Sequence, residues 1–387
     1  MSNTSKNDLN NLLTYFTKQG GSDLFITAGR QAVMKKEGQM HDITQDKITS
    51  DMAKEIADAI MNADQKAEFK QTKECNFAYQ IAGTARYRVN VFIQRGTPGL
   101  VIRAVHTKIP AFESLNLPAV LKDLIMSQRG LILFVGGTGS GKSTSLASLV
   151  DIRNQARSGH IITIEDPIEF VHSHKKCVVT QREVGIDTQN YEIALQNTLR
   201  QAPDVILIGE IRAQETMNHA IAFAETGHLC LSTLHANNTN QALERILNFF
   251  PPIQRNHVLM DLSLNLRAIV SQRLIPSLQG GRIAAAEVLI NTPRMQDLIF
   301  KGDISAIKKL MEDSEELKML TFDKSLFNLY EAGQISYVEA LRNADSANNI
   351  RIKIKLESRR PPPDFVNELL DINKNGNGLF KVKDESN

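Results

Sequence analysis

Apolar positions in the first third of the chain change their period. Leu9, Leu12, Leu13 and Phe16 recur at i, i+3, i+4 and i+7, which predicts a short amphipathic helix, and a second helical pattern runs from about Met52 to Phe69. Phe77, Tyr79 and Ile81 then alternate with polar residues, "AGT" turns the chain, and Tyr87, Val89, Val91 and Ile93 alternate against Arg86, Arg88 and Asn90. That is a hairpin with one wet face. "PGLVIRAV" supplies another strand, so residues 1–105 read as a small α+β domain. "HTKIPAFESLNLP", with two prolines and little periodicity, places a linker at 106–116.

From about Leu115 the pattern alternates between buried strands and helices. "LILFV", "HIITIED", "DVILIGE" and "LCLSTLH" each end at polar residues and lead towards a helix, which predicts a parallel, helix-covered sheet over 117–292. Ligands of such sheets sit at the carboxyl ends of the strands, where the unusual residues of this chain fall. Residues 293–350 read as helical, with "FDKSLFNLYEAGQISYVEAL" forming a helix, a glycine stop and another helix. From 351 onward a basic, flexible tail is expected: "RIKIKLESRR" alternates Ile and Lys, as an edge strand or a segment on an anionic surface would, and a proline run follows.

Composition narrows the class. A length of 387 residues, 42% hydrophobic and 23% charged, suits two or three globular cores. No run reaches the ~18 to 20 consecutive apolar residues of a membrane span, and the polar opening "MSNTSKNDLNN" lacks the apolar core of a secretory signal. A cytoplasmic location is therefore expected. Cys75, Cys177 and Cys230 lie far apart without a C-x-x-C pair, which favours free buried thiols over a disulfide framework or a zinc module. With a net charge of +2 and no Trp, nucleic acid is not an expected partner.

The chemistry concentrates at four strand ends. "GGTGSGKST" follows "LILFV" and opens a helix, so Gly136, Gly137, Thr138, Gly139, Ser140, Gly141, Lys142, Ser143 and Thr144 meet both contextual conditions of a phosphate loop. The glycines let successive N–H groups point inward, Lys142 meets the β and γ phosphates, and Ser143 can ligate Mg²⁺. "DVILIGEIR" puts Glu210 where Mg²⁺ and its waters would lie. "IEDPIEF" adds Glu165, Asp166 and Glu169, one of which can polarise an attacking water. Taken singly, each acid is equally well a helix cap or a surface ion pair. His228 and His235 stand seven residues apart around "LCLSTL", on opposite faces of a strand, so they do not share a metal. His235, at the carboxyl end, can sense a γ phosphate. Arg86, Arg88 and Arg103 cannot be assigned from spacing, although an arginine from an adjacent domain of a ring could reach the γ phosphate.

The order of phosphate loop, "TIEDPIEF", "ILIGEIR" and "TGHLCLSTLHANN" resembles the Walker A, Asp box, Walker B and His box of the hexameric type II/IV secretion ATPases, over roughly residues 10–340. The early "SDLFITAG" and the lack of a paired-cysteine module resemble the pilus-retraction branch. "ETMNHAIAFAETGHLCLSTLHANN" and "LSLNLRAIVSQRLIP" resemble its accessory members. The resemblance implies an α/β fold: a RecA-like P-loop core, a smaller α+β PAS-like N-terminal domain and a helical C-terminal region. It implies a homohexamer that hydrolyses ATP with Mg²⁺ to drive or assist retraction in twitching motility. The implied partners are a paralogous retraction ATPase and the inner-membrane pilus platform protein, with the chain peripheral at that membrane. Carried over by position, Glu169 is the catalytic base, and Glu210, with Ser143, lies on the Mg²⁺ side. His228 and His235 form the His box, Arg88 and Arg103 match arginine fingers, and Arg245 matches a further positive position.

Two departures bear on the role. Ala213 stands in "EIRAQET" where relatives often carry Asp, and the stretch tied to retraction in the main motor finds only "PRMQDLIFKGD" here. The second favours an accessory motor. The alternatives are an ATP-binding subunit that supports a partner motor structurally and, less favoured, a RecA-like nucleic-acid motor.

Overall fold

The computed structural model describes residues 2–36, 38–81, 85–105, 108–314 and 317–360. The N-terminal sheet is built from β1 (Asp23–Ile26), β2 (Val33–Lys36), β3 (Gln39–Asp42), β4 (Glu74–Ile81), β5 (Ala85–Gln94) and β6 (Thr97–Val105). Its order is β3-β2-β1-β6-β5-β4, antiparallel throughout. The alternation seen in the sequence sets its faces: Ala85, Tyr87, Val89 and Val91 are buried, while Arg86, Arg88 and Asn90 point the other way. Helix Ser2–Lys18 lays Leu9, Leu13 and Phe16 on the apolar face, each burial contributing ~2 kcal/mol. The turn expected at 82–84 lies outside the described residues.

The helix expected from Met52 to Phe69 is two helices, Ser50–Ile60 and Ala63–Thr72. Asn62 interrupts it. Its side chain accepts from Gln65 N while Gln65 Oε1 accepts from Asn62 N, a reciprocal cap that starts a new helix within the apolar period.

The chain divides into two compact units, 1–111 with 146–232, and 112–145 with 233 onward. The division falls inside helix Lys142–Ala156 and strand Leu229–Leu234. The first unit adds, in chain order, β8 (Gly159–Glu165), β9 (Cys177–Glu183), β10 (Val205–Ile208) and the start of β11 (Leu229–Leu234); β7 (Gly130–Val135) belongs to the second. These run parallel in the order β11-β10-β8-β9. "VILI" of β10 is buried throughout, as expected for a strand covered on both faces. Helix Gln214–Glu225 buries Met217, Ala220, Ile221, Phe223 and Ala224.

In the second unit β7, buried at every position, pairs in parallel with β12 (Leu266–Pro276), and β12 pairs antiparallel with β13 (Arg282–Ile290). The sheet is therefore mixed. Gly280 and Gly281, both at positive φ, make the β12–β13 turn within "SLQGGR". The glycine stop at Gly333 lies between helices Phe322–Glu331 and Tyr337–Asn343, as expected.

The start of the expected tail is a helix, Ala347–Glu357. Alternating Ile and Lys contain a second spacing, Ile350 to Ile354 at i, i+4, and both side chains are buried in a cluster with Phe322, Leu326 and Tyr330. Ser346 caps it by accepting from Asn349 N at 3.3 Å. Burial of one face and a cap decide for helix over strand. Residues 361–387 lie outside the described residues.

Candidate functional site

The phosphate loop leaves β7 at Gly136. Gly136, Gly139 and Gly141 all have positive φ, and two of them also have no room. A Cβ on Gly136 would lie 2.5 Å from Ser140 Oγ and 2.6 Å from Gln272 O, and one on Gly141 would lie 2.8 Å from Gln272 Nε2. Gln272 of β12 is thus the wall of the loop, fixed by Ser145, whose Oγ donates to Gln272 Oε1 at 2.8 Å. Buried Lys142 donates from Nζ to Gly136 O at 2.8 Å and Gly137 O at 2.9 Å, so its ammonium lies across the loop. Ser140 Oγ is buried without a hydrogen-bond partner among the described residues. Thr138 and Ser143 are exposed and Thr144 is half-buried. A curled backbone, a buried cation and an unpartnered hydroxyl together fit a polyphosphate.

Two clefts flank the loop. One, of about 610 Å³, is lined by Gly136 and Gly137 together with His235, Gln241, Glu244 and Arg245. The other, of about 520 Å³, adjoins Gly141 and Thr144 and is lined by Gln272, Arg282 and Glu113. His235 and Arg245 thus share a wall with the loop. His228 does not: it precedes β11, at the opposite end of that strand, with Nδ1 3.2 Å from Phe223 O and 3.1 Å from Thr226 Oγ1 at the end of helix Gln214–Glu225.

The acids gather in the first unit. Glu165 ends β8, where its Oε1 accepts from Thr163 Oγ1 at 2.7 Å and from Gln181 Nε2 at 3.2 Å. Burial pushes its carboxyl up to about 7, with the nearby Glu169 adding to the rise. Gln181 also donates to Phe170 O at 3.0 Å and accepts from His172 N at 2.7 Å, which pins the segment that carries the exposed Glu169. Gly209, before Glu210, donates from N to Ile164 O at 2.7 Å, and a Cβ there would meet Tyr191 Oη at 2.8 Å. Only glycine brings the two strand ends so close. Burial first, then the charges of Asp166, Glu210 and Glu165, push the Tyr191 hydroxyl well above its ordinary value. Arg212 pairs closely with Glu210 and stands 3.9 Å from Asp166. No group of three or more His, Cys, Asp or Glu side chains able to hold a metal occurs among the described residues.

Arg88 and Arg103 face one another across β5 and β6, and Arg103 is in turn opposite Asp23 of β1. Arg103 Nε donates to Asp23 Oδ1 at 2.7 Å. Arg88 Nε lies 3.0 Å from Glu183 Oε1 at the end of β9, with Arg86 3.5 Å from Glu183 Oε2 and 3.7 Å from Asp187. Glu183 is 1% exposed.

Sequence reasoning missed Tyr191, Gln181 and Glu183 of the first unit and Gln272 of the second, which lie outside the four motifs and meet the motif-bearing strands of their own unit only through packing. Arg212 was within reach, since it follows Glu210 in "GEIR". The cysteines are free and buried, as expected.

The family model for type II/IV secretion system proteins matches residues 2–285. The type IV pilus ATPase PilU of Pseudomonas aeruginosa is 54% identical over 348 residues, 90% of this chain and 91% of that protein. The type IV pilus retractation ATPase PilT of the same organism is 38% identical over 342 residues, 88% of this chain and 99% of that protein. Among solved structures, the pilus retraction motor PilT with bound ADP matches with a TM-score of 0.81 at 37% identity, covering 87% of this chain and 97% of the other. The ATPase DotB of Legionella pneumophila matches with a TM-score of 0.73 at 26% identity, covering 85% and 92%. The fold expected from the sequence holds: an α/β RecA-like P-loop core, a smaller α+β PAS-like N-terminal domain and a helical C-terminal region.

Proposed function

The chain belongs to the type II/IV secretion system protein family, and on that premise we propose that it is the accessory ATP-hydrolysing motor of type IV pilus retraction. The observation that carries the reading is the phosphate loop, closed against Gln272 at Gly136 and Gly141 and crossed by buried Lys142. Lys142 exchanges its loop carbonyls for the β and γ phosphate oxygens of ATP. Glu169 takes the proton of the attacking water, and Glu165, whose carboxyl titrates at about 7, is a neighbouring proton store. His235 and Arg245, on the wall of the cleft beside Gly136, sense the γ phosphate. By the family resemblance Ser143 and Glu210 are the residues that would hold Mg²⁺, and the ion would offset charge on the phosphoryl oxygens. His228 belongs to the same histidine-bearing segment.

The active form is a homohexamer in which Arg88 and Arg103 serve a nucleotide held by a neighbouring subunit. Within the chain each arginine has a carboxylate partner, Arg88 with Glu183 and Arg103 with Asp23, so serving a nucleotide requires each to exchange that partner for phosphate. The partners are a paralogous retraction ATPase and the inner-membrane pilus platform protein. No helix among the described residues is long and apolar enough to cross a membrane, and the chain acts from the cytoplasmic side, peripheral to the inner membrane. The domains are 1–105, the linker 106–116, the ATPase domain 117–292 and the helical region 293–350.

Retraction measured in cells whose only copy of this chain carries Glu169→Gln, with and without the partner motor, tests the role. Retraction in both backgrounds should fall towards that of a deletion. Full retraction by Glu169→Gln protein beside its partner would make the chain a structural support.

A further inference from the structure

We infer that Arg273 is a positioning residue that sets His235 in its cleft and makes that placement depend on the seating of the turn at 343–346. The inference rests on the γ-phosphate-sensing reading of His235.

Arg273 lies on β12 opposite Ala285. Its guanidinium reaches two parts of the second unit at once. Nη2 donates to Asn237 O at 3.1 Å and to Asp345 Oδ1 at 2.8 Å, and Nη1 donates to Asn343 O at 2.5 Å. The guanidinium carbon stands 3.8 Å from the centroid of the Phe322 ring. A planar fork with spaced donors and a stacking face satisfies all four partners, which an ammonium cannot.

Asn237 is the third residue of "HAN", two after His235. Its N–H donates to Gln241 Oε1 at 3.2 Å, and Ser271 Oγ donates to its carbonyl at 3.3 Å. Asn238 then caps helix Thr239–Asn248, its side chain accepting from Gln241 N at 2.9 Å. With the backbone fixed two residues on, the path of the chain at His235 is set, and with it the position from which His235 lines the cleft it shares with Gly136 and Gly137. Within this set Arg273 is the only charged donor to Asn237, so its bond is among the stronger ones.

On the other side Arg273 binds a turn that is itself tightly built. Asp345 Oδ2 accepts from Lys308 Nζ at 3.0 Å, and the Asp323 carboxylate accepts from Asp345 N at 2.8 Å and Ser346 N at 3.2 Å. That turn joins helices Tyr337–Asn343 and Ala347–Glu357. A shift of those helices therefore pulls on the same guanidinium that holds the carbonyl of Asn237.

The test is a double-mutant cycle on ATP turnover of the full-length assembled protein, with Arg273→Ala, His235→Ala and the double variant. Arg273→Ala should lower kcat about tenfold or more with KM for ATP nearly unchanged, the signature of a mis-set group rather than lost binding. The double variant should be no slower than His235→Ala alone. Asp345→Asn, which keeps the side-chain shape, should lower kcat in the same direction and serves if Arg273→Ala fails to assemble. Multiplied losses in the double variant, or wild-type kcat in both Arg273→Ala and Asp345→Asn, would overturn this inference while leaving the His235 reading intact. Wild-type kcat in His235→Ala would overturn that reading and this inference with it.

Discussion

Glu165 carries a pH signature that separates it from the other acids of the site. Its carboxyl is buried at the end of β8 and rises from 4.5 to about 7. The unfolded chain releases this proton near 4.5 and the folded chain holds it to about 7. The group's contribution to stability is therefore complete below 4.5 and is lost as pH rises through 7, a loss of ~3 kcal/mol. In Glu165→Gln the loss is absent. Across that window the thermal midpoint of the wild type should fall relative to the variant, and parallel curves would contradict the assignment. The acid itself was visible in "TIEDPIEF", but its protonation was not, because burial and the bonds from Thr163 and Gln181 come from the fold. The same holds for Glu183. Nothing in "CVVTQRE" indicates that its last residue is buried against Arg86 and Arg88.

Among the elements, helix Gln214–Glu225 shows what one departure from the family pattern does. Ala213 occupies its N-cap position with extended backbone and no side-chain hydrogen bond. An aspartate there could accept from a first-turn N–H as a side-chain cap and complement the helix dipole. Ala213→Asp should raise stability by ~1 kcal/mol, read as a higher thermal midpoint; an unchanged or lower midpoint would show that the cap geometry is not available. Strands buried on both faces and ending at a motif, such as β7, β8, β10 and β11, were legible from their apolar runs. β9, β12 and β13 were not, because polar residues such as Gln272 and Glu287 occupy buried positions that the pattern marks as wet. Helix Ala347–Glu357 was misread for the opposite reason. Alternation was strong, but a slot for Ile350 and Ile354 and the Ser346 cap outweighed it.

At the scale of the whole molecule, the four motifs sufficed for the α/β core and the chemistry, since their order along the chain is itself specific. What they could not supply is the set of side chains that hold them: Gln272 behind the loop, Gln181 behind the acids, Arg273 behind His235. These come from strands and turns distant in sequence and carry no motif of their own. On the proposed function, the assembled protein hydrolyses ATP through Lys142 and Glu169. Mg²⁺-dependent ATP turnover by the purified, assembled protein, beside its Lys142→Ala and Glu169→Gln variants, measures this. The wild type should turn over and both variants should lose ~10²-fold or more in rate, as removal of a group acting in the transition state does. Wild-type protein no faster than Lys142→Ala would show that the chain does not hydrolyse ATP through this loop.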